Sequence, residues 1–135
     1  MRKFLLTWYG MTDLRASLGF ENTDGPIVGA LAAEEYSDVV ILGYTRADDV
    51  PSDLIEARKI FADELALIRD AGHDKDWKVT SQFVSKFANT TTAHEYFDSW
   101  LKSKVVSLGC NTSIRLKSEK LRQLNDTEGI YAGAI

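Results

Sequence analysis

The chain has 135 residues, a formal net charge of -4 and a hydrophobic content of 44%. This length suits one domain, residues 1–135, with a sizeable core. The mild acidity argues against DNA or an anionic membrane as the main partner, and the sequence lacks the run of about 18 apolar residues that a membrane span needs. The single cysteine, Cys110, permits no intrachain disulfide and indicates a reducing, cytoplasmic compartment.

Two short apolar runs predict buried strands, KFLLTWY at residues 3–9 and DVVILGYT at residues 38–45. Continuous apolar runs of this length are typical of parallel strands that are covered on both faces. Between them, Asp24 and Pro26 favour the start of a helix with apolar residues at helical spacing. We therefore expect a right-handed βαβ unit.

Residues 10–25 connect the first predicted strand to this helix, and we expect them to form a long polar loop. Loops of this length are uncommon in compact domains and are usually either functional or disordered. A ligand site and a plain surface insertion are both open from the sequence, and the position of the loop at the end of a strand favours the ligand site.

The middle of the chain predicts a long helix and then an ambiguous segment. Ser52 can cap a helix whose apolar residues recur at helical spacing until Gly72. Residues 77–87 (WKVTSQFVSKF) alternate partly between apolar and polar side chains. This pattern favours a strand, although three of the apolar residues also fit a helix.

The last third predicts a helix, an edge-like strand and a further helix. Thr92 and Glu95 have capping-box spacing, and residues 112–121 alternate as an edge strand does. Asp126 can cap a final helix that the sequence leaves incomplete, so we expect a fragment that is truncated at its C-terminus. The alternation of strands and helices predicts an α/β fold, a Rossmann-like three-layer sandwich with a mostly parallel central sheet.

The sequence contains no HExxH, GxSxG or Walker A motif. His73 and His94 have no partner at metal-ligand spacing, and both are expected to be solvated. Cys110 is expected to be a small semi-buried residue and not a nucleophile. We therefore expect no metal, no cofactor and no catalytic residue.

The best binding candidates follow the two predicted strands, because ligands bind beyond the carboxyl ends of strands in open parallel sheets. The helix that starts at Gly25 should expose backbone N–H groups that favour an anion. Arg15 and Arg46 could neutralise a phosphate. Tyr9 or Tyr44 could stack on a base.

Three segments near the start of the chain, FLLTWYG, DGPIVGAL and DVVILGYT, resemble CRISPR-associated Rossmann fold (CARF) domains. Near its end, Asn125-Asp126-Thr127-Glu128 followed by Ile130-Tyr131 resembles the turn and helix of that family, without the proline of its turn. Within the family, the chain most resembles the N-terminal regulatory domain of sigma-54-dependent activators of the RNA-repair-operon (RtcR) type.

This resemblance implies a non-enzymatic domain that senses a nucleotide or an RNA end and controls a downstream AAA+ ATPase and a DNA-binding domain. It also implies a homodimer, with no direct DNA binding by this domain. The ligand contacts that the resemblance implies are Thr7, Tyr9, Gly10, Asp13, Arg15, Ser17 and Thr45, to which the helix-start and charge arguments add Gly25 and Arg46.

Two alternatives remain open. Some CARF relatives cleave cyclic oligonucleotides, so the domain could be an enzyme of that type. It could also be a protein-interaction module without a small ligand. In that case the exposed anchors would be three apolar residues of the expected loop, Leu14, Leu18 and Phe20.

Overall fold

The structure, a computed structural model, describes residues 3–49, 52–109 and 112–121. These ranges form three strands, β1 (Phe4–Trp8), β2 (Asp38–Arg46) and β3 (Ser113–Leu121). They also form five helices, α1 (Met11–Ser17), α2 (Gly25–Ala33), α3 (Leu54–Asp70), α4 (Trp77–Phe87) and α5 (Thr91–Ser107). Cys110 and the helix expected after Asp126 lie outside the described residues, so those two predictions stay untested.

The three strands form one sheet in the order β1-β2-β3, and both pairings are parallel. Leu6 lies opposite Val40, which in turn lies opposite Arg115. The predicted neighbouring parallel strands at residues 3–9 and 38–45 are therefore confirmed, and so is the α/β, Rossmann-like fold class with a parallel sheet. In the described part of the chain, no helix combines the length and apolar character needed to cross a membrane.

Helices α2 and α5 cover one face of the sheet. Their apolar residues pack against alternate residues of the strands, because successive side chains of a strand point to opposite faces. The buried members of this cluster are Ile27, Val28, Leu31, Val39, Ile41, Phe97, Leu101, Val105 and Ile114. This packing fixes the start of α5 beneath the carboxyl ends of β2 and β3.

A second apolar cluster joins α1, α3, α4 and the first turn of α5. Its buried members are Leu14, Leu18, Phe20, Phe61, Leu65, Phe83, Val84, Phe87, Ala88 and Ala93. Tyr9, at the end of β1, packs against both clusters. The residue that ends the first strand therefore links the sheet to the helical layer.

The strand predicted at residues 77–87 is wrong, because this segment forms helix α4. Asp76 caps the helix by accepting hydrogen bonds from the backbone N–H groups of Lys78 and Val79. Thr80, Phe83, Val84 and Phe87 are buried at helical spacing. The aromatic contacts of α4 with Phe61 and Phe20 decide in favour of the helix, since a strand would turn half of these side chains away.

The long polar loop predicted at residues 10–25 contains helix α1. Leu14, Leu18 and Phe20 are 0%, 1% and 5% exposed, so the prediction that they are exposed anchors is wrong. Leu14 and Leu18 are one helical turn apart, and they fill the cluster between α3 and α4. The sequence TDLRASL hides this helix because polar residues separate its two leucines.

Two predicted helix starts lie close to the observed ones. Asp53, and not Ser52, caps α3 by accepting from the backbone N–H groups of Ile55 and Glu56. Thr90 caps α5, where its hydroxyl accepts from the N–H of Ala93. The N-cap of α5 is therefore Thr90, two residues before the predicted Thr92. This difference of two residues changes which side chains of the first turn face the sheet.

Candidate functional site

The carboxyl ends of the three strands meet above the first turn of α5. Tyr9 follows β1 and remains tied to β2, because its N–H donates to the carbonyl of Leu42 at 2.8 Å. Gly43 and Ser118 are register partners on β2 and β3. Tyr9, Gly43 and Ser118 all contact one side chain of that turn, the imidazole of His94.

His94 is 2% exposed, so the expectation that it is solvated is wrong. Its Nδ1 lies 2.6 Å from Oγ of Ser118. Its ring lies edge-on to Tyr9, with 4.9 Å between ring centroids. The cap at Thr90 turns His94 and Ala93 towards the interior, which places an imidazole at the point where the strands end.

Two polar atoms in this cluster are buried without a hydrogen-bond partner among the described residues, Oη of Tyr9 and Nε2 of His94. Burial raises the pKa of the Tyr9 hydroxyl, and the charge of Asp13 raises it further. Burial lowers the pKa of His94 below 6.5, against the opposing effects of Asp49 and of the backbone carbonyls of Ala88 and Tyr44. Both groups are therefore mainly neutral at neutral pH.

Gly43 provides the space that His94 needs. A Cβ atom at this position would lie 2.9 Å from Cε1 and 3.3 Å from Nε2 of His94. Atoms at such distances overlap, so the imidazole could not hold its position beneath any other residue. The glycine in the apolar run VILGY therefore has a packing role that the run itself does not reveal.

The anion site predicted at the start of α2 holds a carboxylate of the protein itself. Oδ1 of Asp13 accepts from the N–H of Ile27 at 3.1 Å, and Oδ2 accepts from the N–H of Gly10 at 3.3 Å. Burial raises the pKa of Asp13, and these two hydrogen bonds oppose the increase. Gly25, with φ of +90°, lets the chain pass close to this carboxylate.

Arg15 is turned towards α4 and does not face the carboxyl ends of the strands, so the prediction that it neutralises a phosphate there is wrong. Its guanidinium donates to Glu21 at 2.8 Å and to Thr80 at 3.0 Å, and it lies 4.0 Å from the ring centre of Trp77. Ser17 is also buried, and its hydroxyl donates to the carbonyl of Leu14. Arg15 therefore connects α1 to α4, whereas the hydrogen bond of Ser17 lies within α1.

Most of the other residues predicted to bind the ligand do lie near the carboxyl ends of the strands. Tyr9, Gly10, Thr45 and Arg46 follow or end the strands, while Thr7 is half-buried within β1. Arg46 is an exposed cation of this region, and its Nε lies 3.6 Å from a carboxylate oxygen of Asp48. Tyr9 is not available for stacking, because its ring makes edge contacts with His94 and Phe97.

Sequence reasoning missed His94, Ser118 and Asp49 as members of this site. Asp49 accepts from the N–H and the hydroxyl of Thr91 at 2.8 and 2.9 Å, which anchors the loop after β2 to the start of α5. Recognition of Thr90 as the N-cap of α5 could have indicated that His94 points inward, because the N-cap fixes which first-turn residues face the core. The contact between His94 and Ser118 on β3 could not be predicted from sequence spacing.

These side chains do not form a metal site, since the described residues contain no group of three or more histidine, cysteine or acidic side chains that could hold a metal ion. Comparisons of the chain with protein-family models, with curated proteins and with solved structures gave no match.

Proposed function

We propose that this domain is a non-catalytic sensor that binds a nucleotide-like ligand at the carboxyl end of its sheet. One observation carries the proposal: Oη of Tyr9 and Nε2 of His94 are buried in neighbouring rings, without a partner in the described part of the chain. Leaving a buried polar group unpaired costs about 1–3 kcal/mol. A ligand could recover this free energy only if the residues that cover the two buried atoms move aside, so binding at this position requires a local opening of the carboxyl end of the sheet.

The chemistry of the pair suits a neutral part of the ligand. The Tyr9 hydroxyl can donate and accept, and a neutral imidazole offers one donor and one acceptor nitrogen. The negative charge of Asp13 already acts on the Tyr9 hydroxyl, which disfavours a phosphate at that position. A nucleobase edge or a ribose hydroxyl fits this donor–acceptor pair better.

Arg46 is the residue that would receive the phosphate. Its ion pair with Asp48 joins side chains that are 47% and 83% exposed, and such surface pairs contribute at most about 1 kcal/mol. A phosphate could therefore replace Asp48 at little cost. The carboxylate of Asp13 excludes the alternative position at the start of α2, because it already accepts the N–H of Ile27.

An enzymatic role is the second candidate, and the contact between His94 and Ser118 favours it. A histidine within hydrogen-bond reach of a serine hydroxyl can act as its general base. In known serine nucleophiles, a third group orients the base through its other nitrogen. Nε2 of His94 has no such partner among the described residues, so the sensor is the better-supported proposal.

The test is a thermal-shift titration with AMP, with ribo-oligonucleotides that carry a 5′- or 3′-terminal phosphate, and with a cyclic oligoadenylate. Binding stabilises the folded state by mass action, so one of these probes should raise Tm in proportion to the logarithm of its concentration. Tyr9→Phe should abolish the shift, and Arg46→Gln should reduce it for phosphorylated probes only. Tyr36→Phe is the matched control, because Tyr36 precedes β2 at the opposite end of the sheet.

Chromatography of the same mixtures separates the two candidates. Recovery of unchanged cyclic oligoadenylate together with a Tm shift supports the sensor. Conversion of the probe that disappears in Ser118→Ala would establish the enzyme instead. Absence of any shift across the panel would contradict nucleotide binding at this site.

A further inference from the structure

Strand β1 forms one edge of the sheet, because β2 is its only strand partner among the described residues. The N–H of Tyr9 donates to the carbonyl of Leu42 at 2.8 Å, so the backbone of Tyr9 faces β2. The backbone groups of successive residues in a strand point to opposite edges. The N–H and C=O groups of Leu6 and Trp8 are therefore directed away from β2, towards the outer edge.

The side chains of alternate residues of β1 form an exposed apolar row. Phe4, Leu6 and Trp8 are 68%, 52% and 46% exposed, whereas Leu5 points the other way and packs against the cluster under α2 and α5. An apolar edge strand is a template for pairing with another chain, and proteins usually protect such edges with charged residues or proline. The sequence of β1, FLLTW, contains neither.

The opposite edge of the sheet is formed by β3 and has a different character. Arg115, Lys117 and Glu119 are exposed at alternate positions of this strand. Charged side chains of this kind hinder the addition of a further strand. The contrast between the two edges singles out β1 as the one that can accept a partner.

We propose that β1 pairs with β1 of a second copy of the chain, in an antiparallel register centred on Leu6. The two sheets then form one continuous sheet of six strands. Leu6 lies opposite Leu6 of the partner, and Phe4 lies opposite Trp8 of the partner. Hydrogen-bonded pairs recur at every second residue of an antiparallel ladder, so this register uses the outward backbone groups of Leu6 and Trp8.

The sequence of β1 suits a two-fold axis, which requires a surface that is complementary to itself. Its exposed apolar residues lie at equal spacing on either side of Leu6, so apolar side chains face apolar side chains along the whole strand. The register also forms two aromatic cross-strand pairs of Phe4 with Trp8, which stabilise antiparallel strands. A five-residue edge is a small interface, and we expect a dissociation constant in the micromolar range. This inference does not rest on the proposed ligand site.

Sedimentation equilibrium of the full chain, over a range of concentrations up to millimolar, tests the inference. Leu6→Lys should raise the dissociation constant of the dimer by at least about tenfold, because it places two like charges opposite each other. Leu67→Lys is the matched control, since Leu67 is 68% exposed on α3 and its substitution should leave the constant unchanged. A chain that stays monomeric throughout, or a dimer that Leu6→Lys leaves intact, would overturn the proposal.

Disulfide cross-linking tests the register and does not depend on the folding of Leu6→Lys. In a Cys110→Ser background, which removes the single cysteine of the chain, Leu6→Cys should form a covalent dimer on oxidation with diamide. The Cα atoms of a hydrogen-bonded antiparallel pair lie about 5.5 Å apart, within reach of a disulfide. Leu5→Cys is the control, because Leu5 would lie opposite Thr7 of the partner and its two copies would not meet. Equal cross-linking of the two variants, or none in Leu6→Cys, would contradict the antiparallel pairing.

Discussion

Asp13 accepts the backbone N–H of Ile27 at 3.1 Å, and so joins the first turn of α1 to the first turn of α2. Its other oxygen accepts from Gly10 at 3.3 Å, directly after β1. One side chain thus satisfies donors from two helix starts that would otherwise be unpaired. The segment between β1 and α2, which is polar in sequence, is held in place from its interior by this carboxylate.

We expect Asp13→Asn to lower the free energy of unfolding by about 1–3 kcal/mol. An asparagine keeps the shape of the side chain but presents only one oxygen acceptor, so one of the two N–H groups loses its partner. Urea denaturation followed by circular dichroism measures the loss.

Asp24→Asn is the control for Asp13→Asn. Asp24 occupies the N-cap position of α2 but makes no side-chain cap hydrogen bond, and its ion pair with Lys104 joins partly exposed side chains. Its substitution should change stability by less than about 1 kcal/mol. Equal losses in the two variants would show that Asp13 has no special role.

The three observed strands and helices α2, α3 and α5 could be predicted from the sequence because burial leaves a recognisable pattern of apolar residues. Residues 39–42 form a continuous apolar run in β2, the central strand, where Val39, Ile41 and Leu42 are buried. Residues 77–87 misled the prediction because a short segment with partial alternation satisfies both periods. Only tertiary packing, here the contact of Phe83 with Phe61, selects the helix.

The candidate site was less predictable because its residues come from distant parts of the chain. Tyr9 and Thr45 could be found because each is the last residue of a predicted strand. His94 depends on the orientation of one helix turn, and Ser118 depends on the register of β3 with β2. Arg15 was misplaced because no local pattern indicates that α4 supplies Thr80 and Trp77 as its partners.

Gly43→Ala should destabilise the protein by about 1–3 kcal/mol, the usual effect of overpacking a core. The new Cβ would overlap the imidazole of His94, at 2.9 Å from Cε1. Gly29→Ala is the matched control, since Gly29 lies in α2 with open space where the added methyl group would lie, and this variant should gain about 0.5–1 kcal/mol of stability. Thermal unfolding should give a lower Tm for Gly43→Ala and a higher Tm for Gly29→Ala. An unchanged Tm in Gly43→Ala would show that Gly43 and His94 are not tightly packed.

Arg15→Ala should lower the free energy of unfolding by about 2–4 kcal/mol, because it leaves Thr80 without its donor and removes the cation stacked on Trp77. Arg58→Ala is the control, because it removes an arginine whose bidentate ion pair with Glu95 lies on the exposed surface. That control should lose no more than about 1 kcal/mol. If the two variants unfold at the same urea concentration, Arg15 is not a structural residue.

The buried imidazole of His94 should make stability depend on pH below 6.5, its ordinary pKa. Burial lowers the folded-state pKa, so between the two pKa values the unfolded chain binds more protons than the folded one. The free energy of unfolding therefore falls as pH decreases through this window. Asp13 has the opposite sign, since its raised pKa favours the folded state as pH decreases towards 3.8, its ordinary value.

Comparison of variants isolates the histidine from Asp13 and the other carboxylates. His94→Gln should flatten the pH dependence of unfolding between the folded-state pKa of His94 and 6.5. NMR titration of the intact protein provides a check that needs no substitution, because the His94 ring signals should titrate with a midpoint below 6.5. A midpoint at or above 6.5 would mean that the imidazole gains a charge partner in the folded state. The neutral donor–acceptor pair of His94 and Tyr9 could then not be the basis of ligand recognition.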